Sequence, residues 1–434
     1  MPPSAGPFAN NPMNSTVSTP VVPNERWFLL TLAGIQFTHI LDFMIMMPLG
    51  PQLIRVLHVD THQFGLLLAS YTLTAAISGL LGATYIDRFD RRKLMLTLYA
   101  LFIGATLCCG LAPGYAALLA ARALAGAFGG LMGAMVQTMV ADVIPFERRG
   151  KAMGMVMASF SLSTVAGVPL GLFLADHVTS LGWRTPFLFI VAVSGVLLLI
   201  ACKTLPSLTA HLEKPRQGNI FSQILRVARE PEHVRAFMFM SLMIMGGFTV
   251  IPYIALYTTA NVHMTESFIS LVYLCGGAAT LVSSQVIGRM ADKHGKLQTF
   301  RAIAALSLVP LLITTHLVPV PWWVVLINST FFFVVVSGRM IPGMAMLTAV
   351  AAPEVRGTFM SLVSSVQMLS SGLATFIAGV IITRTPAGEI AHYNVVGYLA
   401  VICSVLAIWA AHRLSTHEAP REVPAGVEPG VRPN

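Results

Sequence analysis

Twelve long apolar runs leave this chain few folds to choose from. A helix needs roughly 20 apolar residues to cross a bilayer. The runs lie near 27–49, 63–85, 94–112 and 115–142, continue with two that end near 175 and 205, and resume near 234–257, 267–290, 299–317, 322–350, 355–383 and 394–412. Hydrocarbon offers backbone N–H and C=O groups no partner, so each run has to close its hydrogen bonds on itself as a helix. Composition agrees: the 434 residues are 55% hydrophobic and 10% charged, where a soluble domain carries about 25% charged residues. The expected fold is an all-α membrane protein with 12 transmembrane helices, spans 1 to 12.

The longest internal polar stretch, 206–232, carries Lys214, Arg216, Arg226 and Arg229 and marks the boundary between two halves. The expected layout is a disordered terminus at 1–26, rich in Pro, Asn and Ser, a six-helix bundle at 27–205, the linker at 206–232, a second bundle at 233–412 and a tail at 413–434. An even number of spans puts both termini on one side. Of the 27 Lys and Arg residues, Arg55, Arg184 and Arg384 are the ones in loops on the opposite side, and Arg122 and Arg339 lie within spans. The positive-inside rule then makes the side of the termini cytoplasmic, and a bacterial inner membrane is expected. The net charge of +9 follows this topology instead of gathering in one patch, which excludes nucleic acid as a partner. No basic segment with a short apolar core and a cleavage site precedes Trp27, so the first run is a retained span. Cys108, Cys109, Cys202, Cys275 and Cys403 have neither metal-ligand nor disulfide spacing and read as small hydrophobes.

Span 1 is the unusual one. Gln36, His39 and Asp42 recur at intervals of three and share a helix face. Asp42 lies too deep to reach water by snorkelling, and a carboxylate there costs roughly 2.5–3.5 kcal/mol on the insertion scale. Intramembrane acids are functional by default, so this face is expected to point into a central cavity, with Arg122 of span 4 as the partner of Asp42. Pro51 is expected to end the helix.

The halves repeat. Asp87-Arg88-Phe89-Asp90-Arg91-Arg92 recurs as Asp292-Lys293-His294-Gly295-Lys296, displaced by 205 residues. Glu147-Arg148-Arg149-Gly150 recurs as Glu354-Val355-Arg356-Gly357, displaced by 207. Two six-span halves in parallel arrangement characterise one large transporter class. Small residues are also spaced by four: Ala121, Ala125, Gly129 and Gly133 in span 4, and Ser159, Ser163, Gly167, Gly171 and Ala175 in span 5. Such stripes let helices approach closely. The span 5 stripe is expected to pack the two halves together, with Pro169 kinking the helix.

Three of these elements carry a resemblance. The loop after span 2, Ala83-Thr84-Tyr85-Ile86-Asp87-Arg88-Phe89-Asp90-Arg91-Arg92, resembles the Gly-x-x-x-Asp-Arg/Lys-x-Gly-Arg/Lys-Arg/Lys motif of the major facilitator superfamily with both glycines replaced, and Gly288-Arg289-Met290-Ala291-Asp292-Lys293-His294-Gly295-Lys296 is its complete second copy. Arg122-x-x-x-Gly126 resembles that family's span 4 motif, with Ala125 where Gln is common. Gly167-Val168-Pro169-Leu170-Gly171 resembles the proline-glycine motif of its exporters. The likeness covers roughly 27–412 and points to the drug and sugar-efflux proton antiporters of the arabinose-efflux-permease type. It implies two pseudo-symmetric bundles and a cytoplasmic latch formed by Asp87, Arg88, Arg91, Arg92, Asp142, Asp292, Lys293 and Lys296. It also implies proton coupling through Arg122, with Asp42 and His39.

The substrate cavity is expected between spans 1, 4, 7 and 10, lined by Gln36, Phe248, Tyr253, Tyr257, Asn328 and Arg339. Arg339 has two readings, a receptor for an anionic substrate or a structural pair with a backbone carbonyl. Met44, Met46, Met47, Met238, Met240, Met243 and Met245 read as adaptable packing instead of a copper site, and neither metal nor cofactor is expected. No nucleophile, metal triad or phosphate loop appears, which argues against an enzyme. The expected function is proton-coupled efflux of small organic molecules, drug-like or sugar-like, by a monomer with protons and the lipid bilayer as partners. The alternative is an importer or facilitator of an organic anion that uses Arg339 and Arg122. A sensor or scaffold is disfavoured by the short tails.

Overall fold

The structure, a computed structural model, describes residues 24–178, 180–209, 220–352 and 355–414. The expectations of disorder for the two termini fall almost wholly outside them, as do Lys214 and Arg216 of the linker and Glu354. The side chains of Asp87 and Glu147 are likewise outside what is described. Twelve helices of membrane-crossing length and composition run at Glu25–Ile45, Thr61–Gly82, Arg91–Leu111, Tyr115–Val143, Lys151–His177 and Gly182–Thr204, and then at Pro231–Ala260, Glu266–His294, Lys296–Thr315, Trp322–Val350, Arg356–Ile381 and Tyr393–His412. These are spans 1 to 12, and the all-α expectation holds. An amphipathic helix at Ile220–Arg229 lies in the linker and buries Val227 against spans 7 and 11.

Local chemistry sets the ends of the spans. Asp60 and Gln63 form a reciprocal capping box at the start of span 2, with the Gln63 N–H donating to Asp60 Oδ1 at 2.6 Å and the Asp60 N–H to Gln63 Oε1 at 3.0 Å; such a box satisfies two otherwise unpaired donors. The two copies of the loop motif close their turns differently. Gly295 ends span 8 at φ +91°, a conformation open to glycine. Asp90, at the matching place, instead N-caps span 3 at φ −55° and accepts the Arg92 N–H at 3.0 Å. Its carboxylate also accepts Ser207 Oγ at 2.8 Å and the Leu208 N–H at 3.2 Å. Burial opposes the charge of Asp90, but these hydrogen bonds and nearby Lys93 outweigh it and hold the carboxyl below its ordinary value.

Three expectations change. Span 1 stops at Ile45, and Pro51 does not end a helix but sits in the first turn of a new short one, Gly50–Leu57. Pro is well placed there, because a first-turn N–H has no partner to lose. Span 5 is not simply kinked. A π-helical turn at Ser163–Gly167 precedes Pro169, so the Val168 N–H reaches the Ser163 carbonyl. The small stripe of span 5 packs against span 1 of its own half, while a neighbouring face of span 5, at Val165, makes the contact across the halves with span 8. Ser159 Oγ donates to the Ala33 carbonyl at 2.7 Å and Ser163 Oγ to the Phe37 carbonyl at 2.9 Å. A Cβ on Gly167 or Gly171 would meet Leu41 Cδ1 at 2.9 Å or Ile45 Cδ1 at 2.7 Å.

The halves pack along spans 5 and 8, where a Cβ on Gly277 would meet Val165 Cγ2 at 2.8 Å, and along spans 2 and 11, most tightly at the end remote from the termini, the far end. Thr61 Oγ1 donates to the Ile382 carbonyl at 2.6 Å and Arg55 pairs with Glu266 at 2.7 Å. Beneath them, a Cβ on Gly65 would lie 3.1 Å from Gly379 Cα and would clash with the Tyr253 hydroxyl oxygen. Spans 2 and 11 stay in contact from there to Gly79 and Ser365. The far end is closed.

Candidate functional site

Asp42 and Arg122 meet inside the first half. Arg122 Nη1 donates to Asp42 Oδ2 at 2.8 Å and to the Asp42 carbonyl at 3.2 Å. Both side chains are 0% exposed. Span 2 lays the Tyr71 ring over the guanidinium, with Cζ 4.4 Å from the ring centroid, and span 3 brings Thr106 and Cys109 beside the pair. Burying two charges costs several kcal/mol per ion, and the attraction between them repays it only when the remaining polar atoms are satisfied. Here Asp42 Oδ1 and Arg122 Nε and Nη2 have no hydrogen-bond partner among the described residues. The pair is held by one charge-assisted hydrogen bond and one to a backbone carbonyl, with Thr106 and Cys109 in contact with it from span 3.

His39 lies one turn before Asp42, 8% exposed, stacked on Tyr71 at 6.3 Å and edge-on to Phe102 at 6.0 Å. Gly129 of span 4 gives it room, since a Cβ there would lie 2.8 Å from His39 Nε2. The expectation that Gln36, His39 and Asp42 jointly face the central cavity is therefore corrected. His39 and Asp42 turn into the bundle toward spans 2, 3 and 4, and Gln36 stays half-buried. Four bundled helices offer two charges a more complete shield than the cleft between the halves.

Arg339 is the counterpart in the second half, at a different depth. It occupies the junction between the two helical segments of span 10, Trp322–Gly338 and Met340–Val350. Its Nη1 donates to Ser404 Oγ at 2.9 Å and Ser307 Oγ at 3.3 Å, and its Nη2 to the Met243 carbonyl at 3.0 Å. It is 1% exposed. This geometry follows the structural reading of Arg339, with two hydroxyls added to the expected carbonyl.

Of the other expected cavity residues, Phe248 is half-buried, while Tyr253, Tyr257 and Asn328 are occupied within their own half. Tyr253 donates to the Thr375 carbonyl at 3.0 Å, Tyr257 to the Leu317 carbonyl at 2.8 Å, and Asn328 Nδ2 to Thr314 Oγ1 at 2.8 Å. Of the expected latch residues, Arg91 Nε pairs with Asp142 Oδ2 at 3.2 Å, and this bond joins spans 3 and 4 of one half. Arg92 donates to the Cys202 carbonyl. Arg88, Asp292, Lys293 and Lys296 are exposed.

Sequence reasoning missed Phe43. It stacks on Phe248 of the other half at 6.3 Å and on Tyr71 at 5.6 Å. The signal was present: Phe43 and Phe248 are displaced by 205 residues, the same as the two copies of the Asp87/Asp292 loop motif. A second missed group is a buried polar bracket, Thr38 with the Tyr99 hydroxyl at 3.0 Å, which ties span 1 to span 3 one turn below Asp42.

Comparison with known proteins agrees with this architecture. The family model of the Major Facilitator Superfamily matches residues 32–243 and 236–433. The chain is 26% identical over 385 residues to YceJ of Bacillus subtilis (strain 168), an uncharacterized MFS-type transporter, covering 87% of this chain and 93% of YceJ. Among solved structures, a bacterial homolog of the human lysosomal transporter Spinster, inward-facing and unoccupied, superposes with TM-score 0.68 at 14% identity over 90% of this chain and 98% of that one. The nucleoside transporter NupG gives 0.70 at 10% identity, over 89% and 99%, and a D-xylose-proton symporter 0.70 at 16%, over 88% and 96%. At these identities the superpositions speak for the fold alone. The sequence match spans both repeated halves, and the chain belongs to the Major Facilitator Superfamily, a family of transporters and not of enzymes.

Proposed function

We propose that this chain is a proton-coupled exporter of small uncharged organic molecules, drug-like or sugar-like, that works by alternating access. The observation that carries the reading is the Asp42–Arg122 pair, a carboxylate and a guanidinium bonded at 2.8 Å and sealed from water at 0% exposure. Protonating Asp42 would release the guanidinium from its counter-charge, so a proton taken up at this place changes the bonding of span 1 against span 4. The Gly167-Val168-Pro169-Leu170-Gly171 element supports the outward direction, and the distribution of Lys and Arg supports cytoplasmic termini in a bacterial inner membrane. A single copy is sufficient for the reading, since each half shields its own charge.

The uncharged cargo follows from where the charges are. Apart from residues near the water-facing ends of the helices, the charged residues of the spans are Asp42, Arg122 and Arg339, at 0%, 0% and 1% exposure. The surface left for a substrate in the core is therefore neutral and apolar-to-amide, with Gln36, Phe43, Ser241, Met245 and Phe248 partly exposed along spans 1 and 7. An anionic cargo would find both candidate guanidiniums already engaged inside their own halves.

The test is a screen of neutral and anionic compounds for thermal stabilisation of the purified chain, since a ligand of the folded state stabilises by mass action. Stabilising compounds are then carried into proteoliposomes under an imposed pH gradient. Neutral hits that accumulate against their own gradient support the reading. Hits confined to organic anions, or accumulation indifferent to the pH gradient, contradict it.

A further inference from the structure

Four side chains form a continuous stack from the buried ion pair to the opposite half. The Arg122 guanidinium lies 4.4 Å from the Tyr71 centroid, Tyr71 stacks on Phe43 at 5.6 Å and 30°, and Phe43 stacks on Phe248 at 6.3 Å and 27°. The first three belong to spans 4, 2 and 1 of one half, and the last to span 7 of the other. Phe43 neighbours Asp42 in the chain, so the stack and the acid sit on the same turn.

Both phenylalanines stand where their helix gives way. Phe43 precedes the end of the span 1 helix at Ile45 and the turn that follows. Phe248 is the last residue of the helix Pro231–Phe248, before the turn at Ile251–Tyr253. A broken helix bends at its break more readily than within a turn. Tyr253 then connects this break to the far-end closure, because its hydroxyl donates to the Thr375 carbonyl and abuts Gly65 and Gly379 where the halves touch.

We propose that Tyr71, Phe43 and Phe248 are positioning residues that carry the charge state of Asp42 to the closed far end of the molecule. Rearrangement of Arg122 when its counter-charge is lost shifts Tyr71, which lies over it. Tyr71 displaces Phe43, and Phe43 either keeps or gives up its contact with Phe248. Rigid aromatic rings suit this role because their stacking is geometry-dependent and can therefore bias two states of similar energy. The titratable and charged groups around the Asp42–Arg122 pair are His39 on span 1, Tyr71 on span 2 and Cys109 on span 3. The stack contacts His39 and Arg122 through Tyr71.

This inference rests on the reading of Asp42 as the proton carrier, and the test separates the two. Hydrogen exchange is measured at a single pH on the purified full chain in detergent, with Asp42→Asn standing in for the protonated acid. The readout is amide protection in residues 61–68 and 374–382, on either side of the far-end contact. In the otherwise native chain, Asp42→Asn is expected to change exchange there by about threefold or more, as local opening equilibria shift. In a Phe43→Leu background the same substitution is expected to change it by less than about half as much. Phe248→Leu breaks the stack from the other half and is expected to act alike, so the result does not depend on one variant folding. Phe37→Leu, on the face of span 1 that packs on Gly167, is expected to leave the Asp42→Asn response intact. An undiminished response in both Phe43→Leu and Phe248→Leu overturns the inference and leaves the proton reading standing. No response to Asp42→Asn in the native background overturns the proton reading, and the inference with it.

Discussion

Removing one member of a buried ion pair strands the other, which costs about 3–5 kcal/mol, whereas replacing both with apolar residues of similar volume is often near neutral. Arg122→Leu is therefore expected to destabilise the protein by about that amount in detergent denaturation, and the double variant Asp42→Leu, Arg122→Leu by clearly less. Equal, additive losses would mean that the two side chains are not energetically a pair. At this scale the sequence was partly legible. Asp42 and Arg122 announced themselves because charge is rare and costly in an apolar run, and their pairing followed. Tyr71 did not, since an aromatic residue in an apolar run carries no mark of what its ring covers. Nor did Ser307 and Ser404, which hold Arg339, because a serine in a helix ordinarily bonds back to its own backbone.

Among helices, the informative positions are those where backbones nearly touch. Gly65 and Gly379 face each other across the halves with the Tyr253 hydroxyl wedged between them. Valine at either place cannot fit without parting spans 2 and 11. Overpacking of this kind costs about 1–3 kcal/mol, borne by the far-closed state alone. Gly379→Val is thus expected to raise thiol labelling of a cysteine introduced at Thr61, measured against the same cysteine in the native background. The capped start of span 3 makes a separate expectation. Because the folded carboxyl of Asp90 titrates below its ordinary value, its contribution to stability is present above the unfolded pKa, near 3.9, and is lost as pH falls through the lower folded value. Asp90→Asn should therefore lower the unfolding midpoint at neutral pH and converge with the native chain in strong acid. The small-residue stripe of span 5 was read correctly as a packing surface but assigned to the wrong partner. Spacing by four establishes that a helix face is small, while the helix that fills it is decided by tertiary contact.

Over the whole molecule, repetition was the most legible feature, because two loop motifs at nearly the same displacement fix two halves of six spans. Their pseudo-symmetry extends into the core, where Phe43 and Phe248 meet at that displacement. It does not extend to the charges. The first half neutralises Arg122 with Asp42, while the second holds Arg339 with hydroxyls and a carbonyl. Among the described residues, the ion pair with both side chains fully buried within spans is therefore in the first half, and this asymmetry is central to the proposed coupling. The most direct test uses proteoliposomes containing the chain, a neutral compound that stabilises it, and an imposed pH gradient. The native chain is expected to accumulate the compound against its gradient, and Asp42→Asn to abolish accumulation while exchange of labelled for unlabelled compound continues. Undiminished accumulation by Asp42→Asn, with the same dependence on the pH gradient, would contradict the proposed coupling.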